Sequence, residues 1–363
     1  MLLVCLQHCR KSFWKITKNM NTSYALIQTL PPGPLDIIGD IHGEIDSLRQ
    51  LLQELGYDEE GNHAENRHLV FVGDYCDRGP DSPAVIALVE KLVKAKRAFA
   101  ILGNHELNLL RNDAKDGSGW YFDSQYEHDQ EKFAPFKQAT KEERTQIRSF
   151  LLTLPVALER GDIRIVHAAW DLPAIEKLRA NEKRPLLDLY EEWHQATQHR
   201  LNEIKPLVEQ EKLDWPHSLH HKHDIPPMLH AHAQKDVINQ NHNPMRILTS
   251  GIEREAKSPF YTSGKWRFAE RVQWWDEYDE VTPVVIGHYW RQPVKIDRSV
   301  IGKGDADLFS DIEPDAWHGK HQNVFCIDFS VGGKWSARKY DITTAHHFRL
   351  GALRWPEKTS ILI

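Results

Sequence analysis

The stretch Gly39-Asp40-Ile41-His42-Gly43 directly follows a short apolar run, Leu35, Ile37 and Ile38. A carboxylate and an imidazole two residues apart, at the end of a strand-like segment, have the type and spacing of half a metal site. The flanking glycines let the backbone turn sharply there. Asp-x-His also occurs in ordinary turns, so the pentapeptide decides the fold only if the chain supplies the other half.

The same arrangement recurs twice. His68-Leu-Val-Phe-Val72 reads as a buried strand running into Gly73-Asp74-Tyr75-Cys76-Asp77-Arg78-Gly79, and Ala98 to Leu102 as a third running into Gly103-Asn104-His105-Glu106. Between them, Ile45, Leu48, Leu51, Leu52 and Leu55 recur with helical period and stop at Gly56. Ser82 to Lys96 is a second helix, with Pro83 tolerated in its first turn. Strand, polar loop and helix in repetition predict a mainly parallel α/β core with its chemistry at the strand C-terminal ends.

Further along, Lys141 to Leu154 is an amphipathic helix closed by Pro155. Val156 to Leu158 and Ile163 to Val166 form a hairpin turning at Arg160-Gly161-Asp162 and delivering His167. From Trp170 to about Glu280 the pattern loosens: it is helical at Ala174 to Leu178 and Leu186 to Leu201, then rich in His and Pro. Core texture returns at Val284-Val-Ile286-Gly-His288, at Val324 to Ile327 and at Trp335 to Tyr340. The reading is one domain over 21–363 with an inserted cap at about 170–280, preceded by a disordered extension over 1–20, Met20 being the more natural start.

Composition sets the frame. At 363 residues, 40% hydrophobic and 27% charged, the chain can build a sizeable core. A net charge of -6 argues against bulk attraction to nucleic acid, so no stable nucleic-acid partner is expected; a local basic groove stays open. Cys5, Cys9, Cys76 and Cys326 suggest no disulfide framework, and Cys5-x-x-His8-Cys9 lacks the second pair of a zinc site. Met1 to Leu6 is too short for a signal-peptide core, and no stretch reaches the ~20 apolar residues that span a bilayer. The expectation is a soluble cytoplasmic protein without a membrane partner.

With His167 and His288 at the ends of similar strands, the convergent set is Asp40, His42, Asp74, Asn104, His167 and His288. Two carboxylates, three imidazoles and one amide oxygen suit two borderline divalent ions. Two such ions ~3.5–4 Å apart can bind a phosphoryl group and stabilise its in-line displacement.

The three loops resemble the signature of the calcineurin-like metallophosphoesterases, most closely the phosphoprotein phosphatase branch, over roughly residues 35–170 and 282–342. Phe325-Cys-Ile-Asp-Phe-Ser-Val-Gly-Gly-Lys334 is similar to the closing segment of relatives such as diadenosine tetraphosphatases and bacterial RNA-repair phosphatase modules. The resemblance implies a four-layer αββα sandwich with a partly helical inserted cap. It implies that Asp40 and His42 hold a first metal, that Asp74 bridges, and that Asn104, His167 and His288 hold the second. The ions are expected to be manganese, with iron, zinc, nickel or cobalt as alternatives. His105 resembles the general acid, Asp77 its orienting partner, and Arg78 the phosphate clamp, with Asn104 also touching substrate. A second clamping arginine has four candidates: Arg254, Arg267, Arg271 and Arg291. Hydrolysis would be direct, by a metal-bridging hydroxide.

The departures are Cys76 for an aliphatic residue, Ala168-Ala169-Trp170 for a Gly-Gly, and Trp290 for a further metal-binding His. The last leaves the first metal with three protein ligands, so losing Asp40 or His42 should empty it first. Other residues carry blander readings. Glu106 supports the ligands. His217, His220, His221, His223, His230 and His232 form a solvated loop or lid more readily than a third metal site. Trp120 to Phe122 pack in the core or stack a base, and Trp274 with Trp275 anchor packing. The leading expectation is a phosphatase acting on phosphate monoesters, serine/threonine protein phosphatase-like. The alternatives are an enzyme acting on diadenosine tetraphosphate, nucleotides or RNA ends, and a catalytically weak binding module.

Overall fold

The computed structural model describes residues 25–294, 304–340 and 347–363. The expected extension over 1–20, its start at Met20 and the Cys5-x-x-His8-Cys9 motif lie outside the described residues.

Strand β1 (Ile27–Thr29) leads to β2 (Leu35–Ile38), α1 (Ile45–Leu55), β3 (His68–Phe71), α2 (Ser82–Lys94) and β4 (Ala98–Ala100). Helices α3 (Asn104–Leu110), α4 (Tyr126–Phe133) and α5 (Lys141–Leu151) precede the hairpin of β5 (Ala157–Arg160) and β6 (Ile163–Val166). Then come α6 (Leu172–Arg179), α7 (Leu186–Asp214), α8 (His230–Asn241), α9 (Pro244–Ser250) and the ribbon of β7 (Glu253–Thr262) and β8 (Lys265–Arg271). The chain closes with β9 (Val284–Ile286), β10 (Val324–Cys326), α10 (Lys334–Tyr340), β11 (Gly351–Trp355) and β12 (Thr359–Leu362).

Two five-stranded sheets result, ordered β1-β5-β6-β9-β10 and β12-β11-β2-β3-β4. Strands β2, β3 and β4 pair in parallel, as the repeated strand-loop-helix units require, and β11 and β12 add an antiparallel edge. Side-chain alternation sorts the layers. Leu35, Ile37, Val70, Val72 and Leu353 meet Leu158, Ile163, Ile165, Val285 and Phe325 between the sheets. Ile38, Leu69 and Phe71 point the other way, into a cluster with Leu48, Leu51, Val85 and Val89 of α1 and α2. Helix, sheet, sheet, helix is the sandwich expected from the sequence.

Local signals place the helix ends. Gly56 closes α1 in a left-handed conformation, and the Asp81 side chain caps α2 by accepting Ala84 N–H. On the helix side of β2, buried Asp36 accepts from Tyr57 Oη at 2.8 Å and Arg67 Nε at 3.0 Å, while Arg67 Nη1 reaches Glu357 at 2.8 Å. This network ties the first parallel strands to the antiparallel edge.

The region from 170 to 280 differs from its sequence reading in three respects. Helix α7 continues through Pro206 to Asp214, well past Leu201. The ribbon β7–β8 was not anticipated; β7 alternates weakly, and Trp266 and Phe268 of β8 pack with Leu229 and Ala233 in a small separate cluster. Ile175, Leu178, Leu189, Tyr190, Met245 and Leu248 instead join the main core. The Trp335 to Tyr340 segment is helix α10 and holds no fully buried residue: half-buried Trp335 packs edge-on against Phe133 of α4, and Tyr340 is exposed, so the segment lies at the margin of the core. Among the described residues no helix is long and apolar enough to cross a membrane.

Candidate active site and metal centre

The loops after β2 and β3 are hydrogen-bonded to each other along their backbones: Ile41 N and His42 N donate to Asp74 O, and Gly43 N to Tyr75 O, at 2.8 to 3.0 Å. Glu106, at the start of α3, joins the third loop to the second. It accepts Asp74 N and Tyr75 N at 2.8 Å, Gly103 N at 2.9 Å and Cys76 Sγ at 3.3 Å. Two glycines are required by close approach. A Cβ on Gly103 would stand 2.2 Å from Asp74 Oδ1, and one on Gly287 2.1 Å from Asp40 Oδ1.

Six non-glycine residues here adopt positive φ: His42 (47°), Asp74 (53°), Asp77 (73°), Arg78 (70°), His288 (71°) and Trp290 (55°). Such conformations cost on the order of 1–3 kcal/mol each and persist where the surroundings enforce them, as at binding and catalytic sites.

The side chains converge on Asp74. Its Oδ2 lies 3.3 Å from His167 Nε2, 3.8 Å from His105 Nε2 and 3.9 Å from His42 Nε2. Two tight donor groups share it: His42, Asp74 and His105, and Asp74, His167 and His288. Asn104 Oδ1 joins the second, 2.9 Å from His288 Nδ1 and 3.3 Å from His167 Nε2. Asp40 stands outside both, 4.0 Å from His42 Nε2, and accepts the His288 backbone N–H.

Each imidazole is held through Nδ1. Nδ1 faces Cys76 O in His42 (2.9 Å), Asp77 Oδ2 in His105 (2.5 Å), Val72 O in His167 (2.7 Å) and Asn104 Oδ1 in His288 (2.9 Å). The backbone carbonyls hold hydrogen on Nδ1 of His42 and His167 and turn their Nε2 atoms towards Asp74, whereas His288 turns Nδ1 towards Asn104. His288 Nε2 is buried without a hydrogen-bond partner. Arg78 donates to the Nε2 atoms of His42 and His105 at 3.0 and 3.1 Å, and its guanidinium lies 5.2 Å from the Trp290 ring centre.

The electrostatics are those of a cation site. Burial, then the neighbouring Asp328 carboxylate, pushes Asp40 well up. Burial would raise Asp74 too, but His167, His105 and His42 hold it well below the usual carboxylate range. Burial and Arg78 keep His42 neutral, and burial and Arg271 keep His288 neutral. Against its own burial, His167 is driven up to about 10 by Asp74 and Asp40. The pocket pulls positive charge onto an imidazole, and neutral Nε2 lone pairs with carboxylates are the donors divalent ions take. The residues present therefore fit two such ions.

Other residues fall elsewhere. Arg291 is buried and donates to the carbonyls of Cys326, Glu313 and Ala316, so it is a structural residue and not a substrate clamp. Arg254 is exposed on the β7–β8 ribbon and pairs with Glu270 at 2.8 Å, and Arg267 lies on the same ribbon. Of the four arginine candidates, Arg271 is the one whose charge acts on His288. The histidines of 217–232 scatter: His220 faces Gly264 O, His221 Asp224, His230 Glu255 and His232 Glu211. Two site residues escaped the sequence reading. Trp120 Nε1 donates to Asp77 Oδ1 at 2.6 Å, and Asp328, beside Asp40, accepts Trp290 N at 2.7 Å. Both lie in stretches the sequence singles out, Trp120 in the aromatic run and Asp328 in the closing segment, but their contacts to Asp77 and to Asp40 and Trp290 depend on the tertiary fold.

The chain belongs to the calcineurin-like phosphoesterase family, whose description matches residues 33–288. The family uses divalent metal ions, which the two donor groups around Asp74 fit. The chain is 52% identical over 80 residues to the asymmetrical bis(5'-nucleosyl)-tetraphosphatase PrpE of Oceanobacillus iheyensis, covering 21% of this chain and 32% of that protein. With the PrpE of Bacillus velezensis it shares 34% identity over 146 residues, 37% of this chain and 55% of that one. The chain thus spans between a third and about half of the length of these curated relatives. Among solved structures, a cold-active protein-tyrosine phosphatase of a psychrophilic Shewanella aligns over 94% of this chain and 83% of its own, with TM-score 0.44 and 16% identity.

Proposed function

We propose that the chain hydrolyses phosphoric esters or anhydrides of nucleotide type, dinucleoside polyphosphates foremost, at a two-metal centre. The observation that carries the chemistry is the pair of donor groups sharing Asp74, with His105 and Arg78 at the same point. The substrate class rests on the names of the relatives the chain matches in part. Nothing comparable favours the serine/threonine protein phosphatase expectation.

On this reading Asp40, His42 and Asp74 hold one ion, and Asp74, Asn104, His167 and His288 the other. Bound there, the ions supply Lewis-acid polarisation of the phosphoryl group and acidify water. Arg78 presents two donors from the forked guanidinium to the phosphoryl oxygens. Against its burial, Asp74 and Asp77 draw His105 towards the charged form. With Arg78 turned to the phosphoryl oxygens, His105 gives a proton from Nε2 to the departing oxygen while Asp77 holds the ring at Nδ1. Burial of this set keeps bulk water away from the leaving group. Residues 170–280, between β6 and β9, act as a cap on the single domain, with the cluster around Trp266 and Phe268 as its own small core.

A panel of diadenosine tetraphosphate, a phosphopeptide and 3′-phosphorylated RNA, each with manganese, tests the reading. Preference for the dinucleotide by tenfold or more in kcat/KM is expected. Preference for the phosphopeptide would overturn the substrate class and leave the two-metal chemistry standing.

A further inference from the structure

Trp120 lies in a stretch without regular structure between α3 and α4, yet it is 2% exposed and touches the reaction machinery. Its indole N–H donates to Asp77 Oδ1 at 2.6 Å, while Asp77 Oδ2 holds His105 Nδ1 at 2.5 Å. Asp77 N–H in turn donates to Ser82 Oγ at 3.0 Å. Both carboxylate oxygens are therefore assigned, one to the indole and one to the imidazole.

The loop that carries Trp120 is itself clamped. Buried Asp129 on α4 accepts Gly117 N–H at 3.1 Å and Gly119 N–H at 2.6 Å. Gly117 O accepts the backbone N–H of Arg78 at 3.2 Å, and a Cβ on Gly117 would stand 2.9 Å from Arg78 Cγ. One short loop thus contacts both the proton-carrying pair and the phosphate clamp.

We propose that Trp120 is a positioning residue for His105, acting through Asp77, and that Asp129 holds the 117–120 loop from which it acts. The inference rests on the phosphoesterase reading. A carboxylate with one oxygen free can rotate, and the imidazole it holds rotates with it. The indole N–H removes that freedom, so His105 Nε2 is presented along one direction. Small misplacements of a catalytic group cost rate steeply, up to roughly 100-fold for about 1 Å.

The effect should depend on the leaving group. An alkoxide needs its proton in the transition state, whereas 2,4-dinitrophenolate departs without one. Trp120→Phe keeps an aromatic ring and removes the donor. In the manganese-loaded full chain, it should lower kcat on an alkyl phosphate by about 10-fold or more and leave kcat on 2,4-dinitrophenyl phosphate within about 2-fold. KM should stay nearly constant for both. Asp129→Asn should show the same pattern with a smaller loss, and it serves if Trp120→Phe does not accumulate as folded protein. Equal losses across the series, or none, would overturn the positioning role. Wild-type protein inactive on every ester would instead overturn the phosphoesterase reading, and this inference with it.

Discussion

The Glu106 carboxylate accepts the backbone N–H of Asp74 at 2.8 Å, and its other oxygen accepts the next N–H along, that of Tyr75. The side chain from one loop therefore fixes the strained peptide that aims the central carboxylate of another. Glu106→Gln replaces one of two acceptors with an NH2 group facing N–H donors. A loss of roughly 2–3 kcal/mol in stability is expected from the unsatisfied groups. Manganese affinity should fall by ~10–100-fold, as for other residues that orient ligands. Calorimetric titration of manganese into wild type and variant, with urea melts of both, checks this. Unchanged affinity would refute the orienting role.

Metal removal should register as lost stability. A cation that binds only the folded chain adds about 2.7 kcal/mol at 100 times its dissociation constant. Chelation with EDTA should lower the melting temperature, and manganese should restore it. Asp74→Asn, which alters the ligand common to both donor groups, should abolish most of that response. Its turnover of p-nitrophenyl phosphate should fall by roughly 1,000-fold or more, on the scale of several kcal/mol of charge stabilisation. His42→Ala should halve the bound manganese measured by elemental analysis, whereas a variant that still binds both ions would overturn the assignment of His42.

Most of the site's residue types were legible from sequence because each ligand follows a strand whose apolar run is short and well bounded. Leu35–Ile38 ends immediately before Gly39-Asp40, and His68–Phe71 ends three positions before Asp74, so strand ends alone bring them together. The conformations were not legible: at left-handed His42 and Asp74 the backbone N–H groups are held by Asp74 O and by Glu106, far along the chain. Trp120 and Asp328 belong to the same class, contributed by segments whose pairing depends on the tertiary fold. In 170–280 the difficulty was different. Helix α7 accommodates Pro206, and β7, the partner of β8, carries too little alternation for the pairing to be read.

The buried pair Asp36–Arg67 should matter for stability and not for catalysis. Arg67→Met removes the cation that lies 3.0 Å from Asp36 and also holds Glu357. Breaking a buried pair by removing one partner costs about 3–5 kcal/mol. Tyr57 and the partly exposed Arg354 still contact Asp36, so the lower end of that range is expected. Urea denaturation gives the stability, and kcat per folded molecule should stay within about 2-fold. A stability change below about 1 kcal/mol would show that the network is not the tie between sheet edge and core.

His318 should make the fold acid-sensitive. Its ring packs against Trp275 and Phe309, and burial, then Arg291, lowers its pKa from 6.5 to about 3. The folded state therefore resists protonation while the unfolded chain accepts it below pH 6.5. Unfolded protein binds the extra proton, so stability falls as pH drops from 6.5 towards about 3 and is fully retained above 6.5. The slope from this one group approaches ~1.4 kcal/mol per pH unit. His318→Phe keeps an aromatic ring in the cluster and removes the titration. Urea melts at pH 7.5, 5.5 and 4.5 should show the variant's stability falling less steeply than wild type by up to that slope. Parallel curves would mean that His318 is protonated in the folded protein, or that acid loosens the molecule elsewhere before His318 responds.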